Sequence, residues 1–341
     1  ARRGDLRCGT IDAWLRWKLS EGAAHVTDFT NASRTQLFNV RTLSWDKELL
    51  DLFDIPASMM PEVRRASGSF GETSYPGVPA GIPITGVAGD QQAALFGQCC
   101  FEPGQAKNTY GTGCFMLLHT GHEARESRNN LVTTIVASPP QVEGTEYALE
   151  GSVFVAGALI QWLRDELGII QNAAETEYLA KSVPDTGGVY IVPAFTGLGA
   201  PYWKPDARGA IYGLTRGTSR PHLARAALEA IAYQIADLSS AMAADAGKPL
   251  ALLNVDGGAS ANDFLMQFQA DLLGCELRRP QNTETTSLGA AFLAGLATGF
   301  WSGTDELRAL RESDDVFTRS MEPMRVQVLL AGWHEAIRRT I

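Results

Sequence analysis

Four strand-like runs follow one another in the middle of this chain: Ala106 to Tyr110, Cys114 to His119, Leu131 to Ala137 and Tyr147 to Phe154. Consecutive strands joined by turns pair antiparallel. After them the pattern alternates. A helix is expected over Ala156 to Leu167, strands over Gly188 to Phe195 and Ala210 to Leu214, and a long helix over Pro221 to Asp245. A strand over Leu250 to Val255 then leads to helices over about Ser260 to Leu273 and Thr285 to Gly299. Antiparallel strands followed by strand–helix alternation predict an α/β domain built on a mixed sheet.

Upstream, residues 10 to 19 and Asp46 to Phe53 place apolar groups at helical spacing behind capping residues. The run Ile82-Pro-Ile-Thr-Gly-Val-Ala-Gly-Asp90-Gln-Gln-Ala-Ala-Leu-Phe-Gly97 reads as a strand that turns into a helix at Asp90. A domain boundary is expected at about Gln98, giving units 1–97 and 98–341.

With 341 residues, 45% of them hydrophobic, the chain can build proper cores. The net charge of −9 and the lack of a basic run argue against a nucleic-acid partner. The longest apolar stretches are too short and interrupted to span a bilayer. Five cysteines without a Cys-x-x-Cys pair fit a reducing, cytoplasmic setting rather than a disulfide or zinc framework. His119 and His122 have no third ligand nearby in sequence and read as solvated polar residues. The opening Ala1-Arg-Arg-Gly is not a signal peptide, and it reads as a cut from something longer.

Three segments carry candidate chemistry. Asp90 has two readings: a helix N-cap, which spacing alone favours, and a general base with Gln91 beside it to bind a neighbouring hydroxyl. Gly111-Thr112-Gly113, the tip of a hairpin, is either a tight turn or a phosphate cradle. Asp256-Gly257-Gly258-Ala-Ser-Ala-Asn262 follows a strand and opens a helix, a geometry suited to phosphate or adenosine, although Ser260 or Asn262 also reads as a cap. Neither a Walker loop nor a dinucleotide fingerprint is present. The aromatic group Phe195, Tyr202 and Trp203 reads as a packed loop.

Together with His25-Val-Thr-Asp-Phe-Thr-Asn-Ala-Ser-Arg-Thr35, Asn108-Thr-Tyr-Gly-Thr-Gly-Cys-Phe-Met116, Pro193 to Trp203 and Gly209 to Glu229, these segments resemble the glycerol branch of the FGGY carbohydrate-kinase family. That resemblance implies an actin-like ATPase (ribonuclease H-like) fold of two domains, the first incomplete. It implies ATP-dependent phosphorylation of glycerol to sn-glycerol 3-phosphate, with ATP and Mg2+ as cofactors and a homo-oligomer, dimer or tetramer, as the whole protein. By the same resemblance Asp90 is the base, and Gln91 and Phe115 contact glycerol. Thr112 and Gly157 face the ATP phosphates, Gln161 contacts the nucleotide, Gly258 packs on the α-phosphate side and Asn262 reaches the adenine. Relatives begin with an Asp-x-Gly-Thr hairpin and a glycerol clasp for which this sequence shows no counterpart, so the chain alone is expected to be inactive. The loop Tyr75 to Gly81 also differs from the basic loop of relatives regulated by a sugar bisphosphate. The rival readings are another polyol or sugar kinase of the family and a silent nucleotide-binding module.

Overall fold

The computed structural model describes Arg3, residues 5–311 and residues 314–341; the opening Ala1, Arg2 and Gly4 of the first expected unit lie outside the described residues. The upstream part runs α1 (Ile11–Leu19), β1 (Val26–Asp28), α2 (Phe29–Ala32), β2 (Phe38–Asn39), β3 (Ser44–Trp45), α3 (Lys47–Leu52), β4 (Glu62–Arg64) and α4 (Asp90–Gly97). Strands β1 and β4 pair in parallel as a sheet of two. Helix α1 lies on β1 through Arg16, whose guanidinium is buried and donates from Nε to the Val26 carbonyl at 3.0 Å.

The expected strand before Asp90 is not a regular one. Residues 82–87 run antiparallel to 66–73 through scattered bonds, Phe70 N–H to Ile84 O at 2.9 Å and Val87 N–H to Ala66 O at 2.8 Å among them. Pro83 brings no N–H to a ladder, and Gly71, at φ +110°, takes its partner segment out of the extended region. The helix that follows is as expected.

Downstream come β5 (Ala106–Tyr110), β6 (Cys114–Gly121), β7 (Val132–Ile135), β8 (Tyr147–Val153), α5 (Gly157–Asp165), α6 (Glu175–Lys181), β9 (Tyr190–Val192) and β10 (Ala210–Tyr212). Then follow α7 (Arg220–Ala246), β11 (Leu252–Asp256), α8 (Asp263–Leu273), β12 (Glu276–Arg279), α9 (Thr285–Thr298), α10 (Thr304–Ala309), β13 (Asp315–Phe317) and α11 (Pro323–Thr340). Seven strands form one sheet in the order β13-β12-β11-β5-β6-β8-β7. Its centre is parallel, β12 with β11 and β11 with β5, while β5, β6, β8 and β7 are antiparallel, so the sheet is mixed as the pattern predicts.

Alternation along β6 decides what covers each face. Met116 and Leu118 point into the main core with Leu228, Ile231 and Ile235 of α7, and Leu117 points the other way, onto Leu95 of α4. Helix α4 is therefore wedged. One side packs on the sheet, and Phe96 meets Phe292, Leu293 and Leu296 of α9. The long helix α7 is anchored at Asp237, which accepts from Tyr202 Oη at 2.8 Å, Trp333 Nε1 at 2.6 Å and His334 Nε2 at 2.8 Å.

Candidate functional site

Asp90 is the first residue of α4, and Gly89 holds the N-cap position. The cap reading thus gives way to an exposed carboxylate in the first helical turn. Its Oδ1 accepts from the Gln91 backbone N–H at 2.9 Å and its Oδ2 from Gln91 Nε2 at 3.2 Å. The turn itself is held from upstream: Gly89 N–H donates to Thr30 Oγ1 at 2.7 Å, and Thr30 Oγ1 donates to Asp28 Oδ2 at 2.6 Å. Part of the Thr-Asn-Ala-Ser-Arg-Thr run is thereby explained, because Thr30 fixes the backbone from which Asp90 projects.

Beneath this turn the register of the sheet lines up a polar row. Strand pairing puts Asn254, Lys107, Leu117 and Glu150 abreast, and Asp256, Thr109, Phe115 and Ser152 in the next row, all on the face that α4 covers. Lys107 is wholly buried and donates from Nζ to Gln91 Oε1 at 2.5 Å and to Thr109 Oγ1 at 2.8 Å. Glu150, also buried, accepts both arms of Arg34, at 3.1 and 2.8 Å. Burial pushes the Glu150 carboxyl above the usual range, and Arg34 and Lys107 oppose that shift. Phe115 is partly exposed beside this row, near the rim.

Sequence reasoning passed over Lys107, Glu150 and Arg34 as site residues. The one available signal was a lysine within an otherwise strand-like Ala106–Tyr110 run, and such a lysine reads equally as a solvated face.

The hairpin tip is stapled to the start of α5. Ala156 N–H and Ala158 N–H donate to the Thr112 carbonyl at 2.8 and 3.0 Å, and Gly157 N–H donates to Gly111 O at 2.9 Å. A Cβ on Gly157 would fall 2.6 Å from Gly111 O, so this closeness needs glycine. Gly257, at φ +84°, brings the β11 turn equally close to Tyr110.

The result is a cleft of about 440 Å³ lined by Thr112, Gly157, Gln161, Gly258 and Asn262 together, with Tyr110, Ile160 and Leu228 as apolar wall. A Cβ on Gly258 would meet no atom within 4 Å, so this glycine faces the open cleft. Asn262 does both things the sequence left open: Oδ1 caps α8 at Leu265 N–H (2.9 Å), Nδ2 donates to Thr176 Oγ1 (3.2 Å), and the residue lines the cleft. Asp256, buried, accepts from Gln98 Nε2 at 3.0 Å and from Thr285 Oγ1, tying the end of α4 and the start of α9 to the turn beside the cleft.

The two centres communicate through one strand. Lys107 donates to Gln91 and to Thr109, and from Thr109 the chain runs through the end of β5 to Thr112 at the hairpin tip, roughly 10 Å further at strand spacing. A carboxylate at one end and a concave, partly apolar cleft at the other suit transfer of a group from a bound cofactor to a hydroxyl.

Comparison with known proteins agrees. The FGGY family of carbohydrate kinases, C-terminal domain, matches residues 106–298, and the N-terminal domain of the same family matches residues 4–97. A glycerol kinase of Shewanella pealeana is 59% identical over 340 residues, covering 100% of this chain and 69% of that protein. A protein named glycerol kinase 2 from Pseudomonas aeruginosa is 58% identical over 341 residues, covering 100% of this chain and 67% of its own length. Among solved structures, Plasmodium falciparum glycerol kinase with ADP superposes with a TM-score of 0.91 at 40% identity, covering 98% of this chain and 66% of that one. A xylulose kinase from Lactobacillus acidophilus, TM-score 0.83 at 24% identity over 96% of this chain and 66% of that one, shares the fold. The chain thus spans about two thirds of the length of these relatives.

Proposed function

The chain belongs to the FGGY family of carbohydrate kinases, and we propose that it carries the base and the nucleotide cleft of an ATP-dependent glycerol kinase. The observation that carries this reading is the convergence of Thr112, Gly157, Gln161, Gly258 and Asn262 on one cleft, joined through β5 to the exposed Asp90. ATP lies in that cleft, with Asn262 at the adenine, Gln161 and Gly258 along the nucleotide, and Thr112 and Gly157 at the phosphates. Glycerol lies over Gln91 and Phe115. Asp90 takes the proton of the 3-hydroxyl as its oxygen bonds to the γ-phosphorus, the bond to the β-phosphate oxygen breaks, and ADP leaves. Such chemistry asks mainly for positioning and electrostatic stabilisation.

Mg2+ would arrive with the nucleotide and would neutralise charge on its phosphates. Among the described residues no group of three or more His, Cys, Asp or Glu side chains is placed to hold it. We take the domain boundary to lie after Gly97, so that base and cleft sit on different units and hinge closure excludes water from the transfer. Five free cysteines, four of them buried, suit a reducing compartment, and a homo-oligomer is the assembly expected of the whole protein.

The test is Asp90→Asn in the whole protein. An amide does not accept the proton, so turnover is expected to fall by roughly 10²–10⁴-fold while glycerol affinity changes little. Near-normal turnover would reduce Asp90 to a helix-terminal acid. A panel of polyols and sugars on the wild type separates glycerol from the other substrates of the family.

A further inference from the structure

We propose that Lys107 is a positioning residue, which locks the amide of Gln91 in one orientation and through it holds the Asp90 carboxylate for the polyol. The inference rests on the reading of Asp90 and Gln91 as polyol contacts.

Lys107 is 0% exposed, in the centre of a seven-stranded sheet. A buried ammonium is costly unless it is well hydrogen-bonded, and the usual solution is a carboxylate partner. Here the direct partners are two neutral oxygens, Gln91 Oε1 at 2.5 Å and Thr109 Oγ1 at 2.8 Å. The neighbouring carboxylates stand around it on three elements: Asp90 on α4, Glu150 on β8 and Asp256 on β11, with the Cys100 thiol also facing it. Glu150 is already taken by Arg34, and Oδ2 of Asp256 by Gln98 and Thr285, while the buried Oδ1 of Asp256 accepts no hydrogen bond from Lys107 or any other group among the described residues. Burial lowers the Lys107 pKa from the ordinary lysine value, and those carboxylates push back toward the charged form.

The chemistry of the contact decides what this does. An ammonium only donates, so it selects the oxygen of the Gln91 amide and turns the NH2 group outward. That NH2 donates to Asp90 Oδ2 at 3.2 Å. A freely rotating glutamine would present its oxygen to the carboxylate half of the time, repelling it and offering an acceptor where a hydroxyl oxygen needs a donor. With the amide pinned, the Gln91 NH2 donates hydrogen bonds to Asp90 and to the polyol, and Asp90 keeps lone pairs for the hydroxyl to be deprotonated. Thr109 holds Nζ from the side and fixes its reach.

The experiment is a double-mutant cycle in the whole protein with Lys107→Met, Gln91→Met and both together. Lys107→Met is expected to lower kcat/KM for glycerol by roughly 10–100-fold while the KM for ATP stays within about 3-fold. In the Gln91→Met background the same change should cost less than about 3-fold, because the group Lys107 acts through is gone. An equal loss in both backgrounds overturns the proposal, since a lysine that merely supports the sheet would be missed in either. Thr109→Val, which leaves the buried charge in place, is the second probe and should lose roughly 3–10-fold with the same dependence on Gln91.

A readout independent of catalysis is the side-chain NH2 resonance pair of Gln91 in the ligand-free protein, assigned by its loss in Gln91→Met. It should shift and exchange faster in Lys107→Met. If it does so while no variant, wild type included, phosphorylates a polyol, the kinase reading fails, and what stands of the proposal is only that Lys107 orients the Gln91 amide. If the wild type is an active kinase and the Gln91 resonances do not move, the role of Lys107 falls.

Discussion

Asp28 sits wholly buried at the N-cap of α2, and burial raises its carboxyl to about 6 against hydrogen bonds from Thr30 and Asn31, which lower it. The folded value lies above the ordinary 3.8, so its contribution to stability is fully present below pH 3.8 and is lost as pH rises through about 6. Two units correspond to on the order of 3 kcal/mol. Denaturant titrations at pH 4 and pH 7 should therefore show the stability gap between wild type and Asp28→Asn moving against wild type by about that amount as pH rises. An unchanged gap would mean that Asp28 does not titrate in this window. Because Asp28 holds Thr30, and Thr30 holds Gly89, its charge state bears on the turn that presents Asp90. At the other centre, Gly258→Val would fill open cleft without straining its surroundings. ATP affinity by calorimetry should fall at least ~10-fold with the fold intact, as a side chain takes the room of the ligand backbone contact. The turns that carry Asp90, Thr112 and Gly258 were legible in sequence because turn chemistry marks them. Lys107 was not, since its meaning depends on burial.

At the level of elements, the hairpin β5–β6 and the helices α4, α7 and α9 follow from local pattern, and the irregular segment before Asp90 does not. Helices α4 and α9 meet at bare backbone. A Cβ on Gly289 would lie 1.8 Å from Ala93 O, and one on Gly97 would lie 2.0 Å from Thr285 O. Glycines in helices weaken them by about 1 kcal/mol each, and here the close crossing is what they allow. Gly289→Val should destabilise the protein by about 3 kcal/mol or more, read as a lowered denaturation midpoint, and should depress turnover by displacing the helix that bears Asp90. Wild-type stability in this variant would mean that the two helices are free to separate. Sequence alone marks Gly97 and Gly289 as helix-weakening residues; only the crossing shows what they are for.

On the scale of the whole molecule, α1 presents Ile11 (82% exposed), Trp14 (57%) and Leu15 (50%) to solvent, next to a parallel sheet of two strands. Parallel strands ordinarily lie within a covered sheet, and an apolar face of this kind ordinarily meets a partner surface. The 341-residue chain by itself is expected to bind a hydrophobic dye and to self-associate, and Ile11→Glu with Leu15→Glu should reduce both. Sequence by itself determined the order of strands and helices, the mixed sheet, the position of Asp90 at a turn and the glycine-marked loops of the cleft, because periodicity and turn residues act over a few neighbours. Tertiary structure decided the rest. The polar row beneath α4 exists because pairing register sets Asn254, Lys107 and Glu150 abreast from three separate strands, and Arg34 reaches Glu150 from 116 positions away. Burial is a property of what packs on top, so a lysine in a strand acquires its role only when α4 lands on it and Gln91 closes over its ammonium.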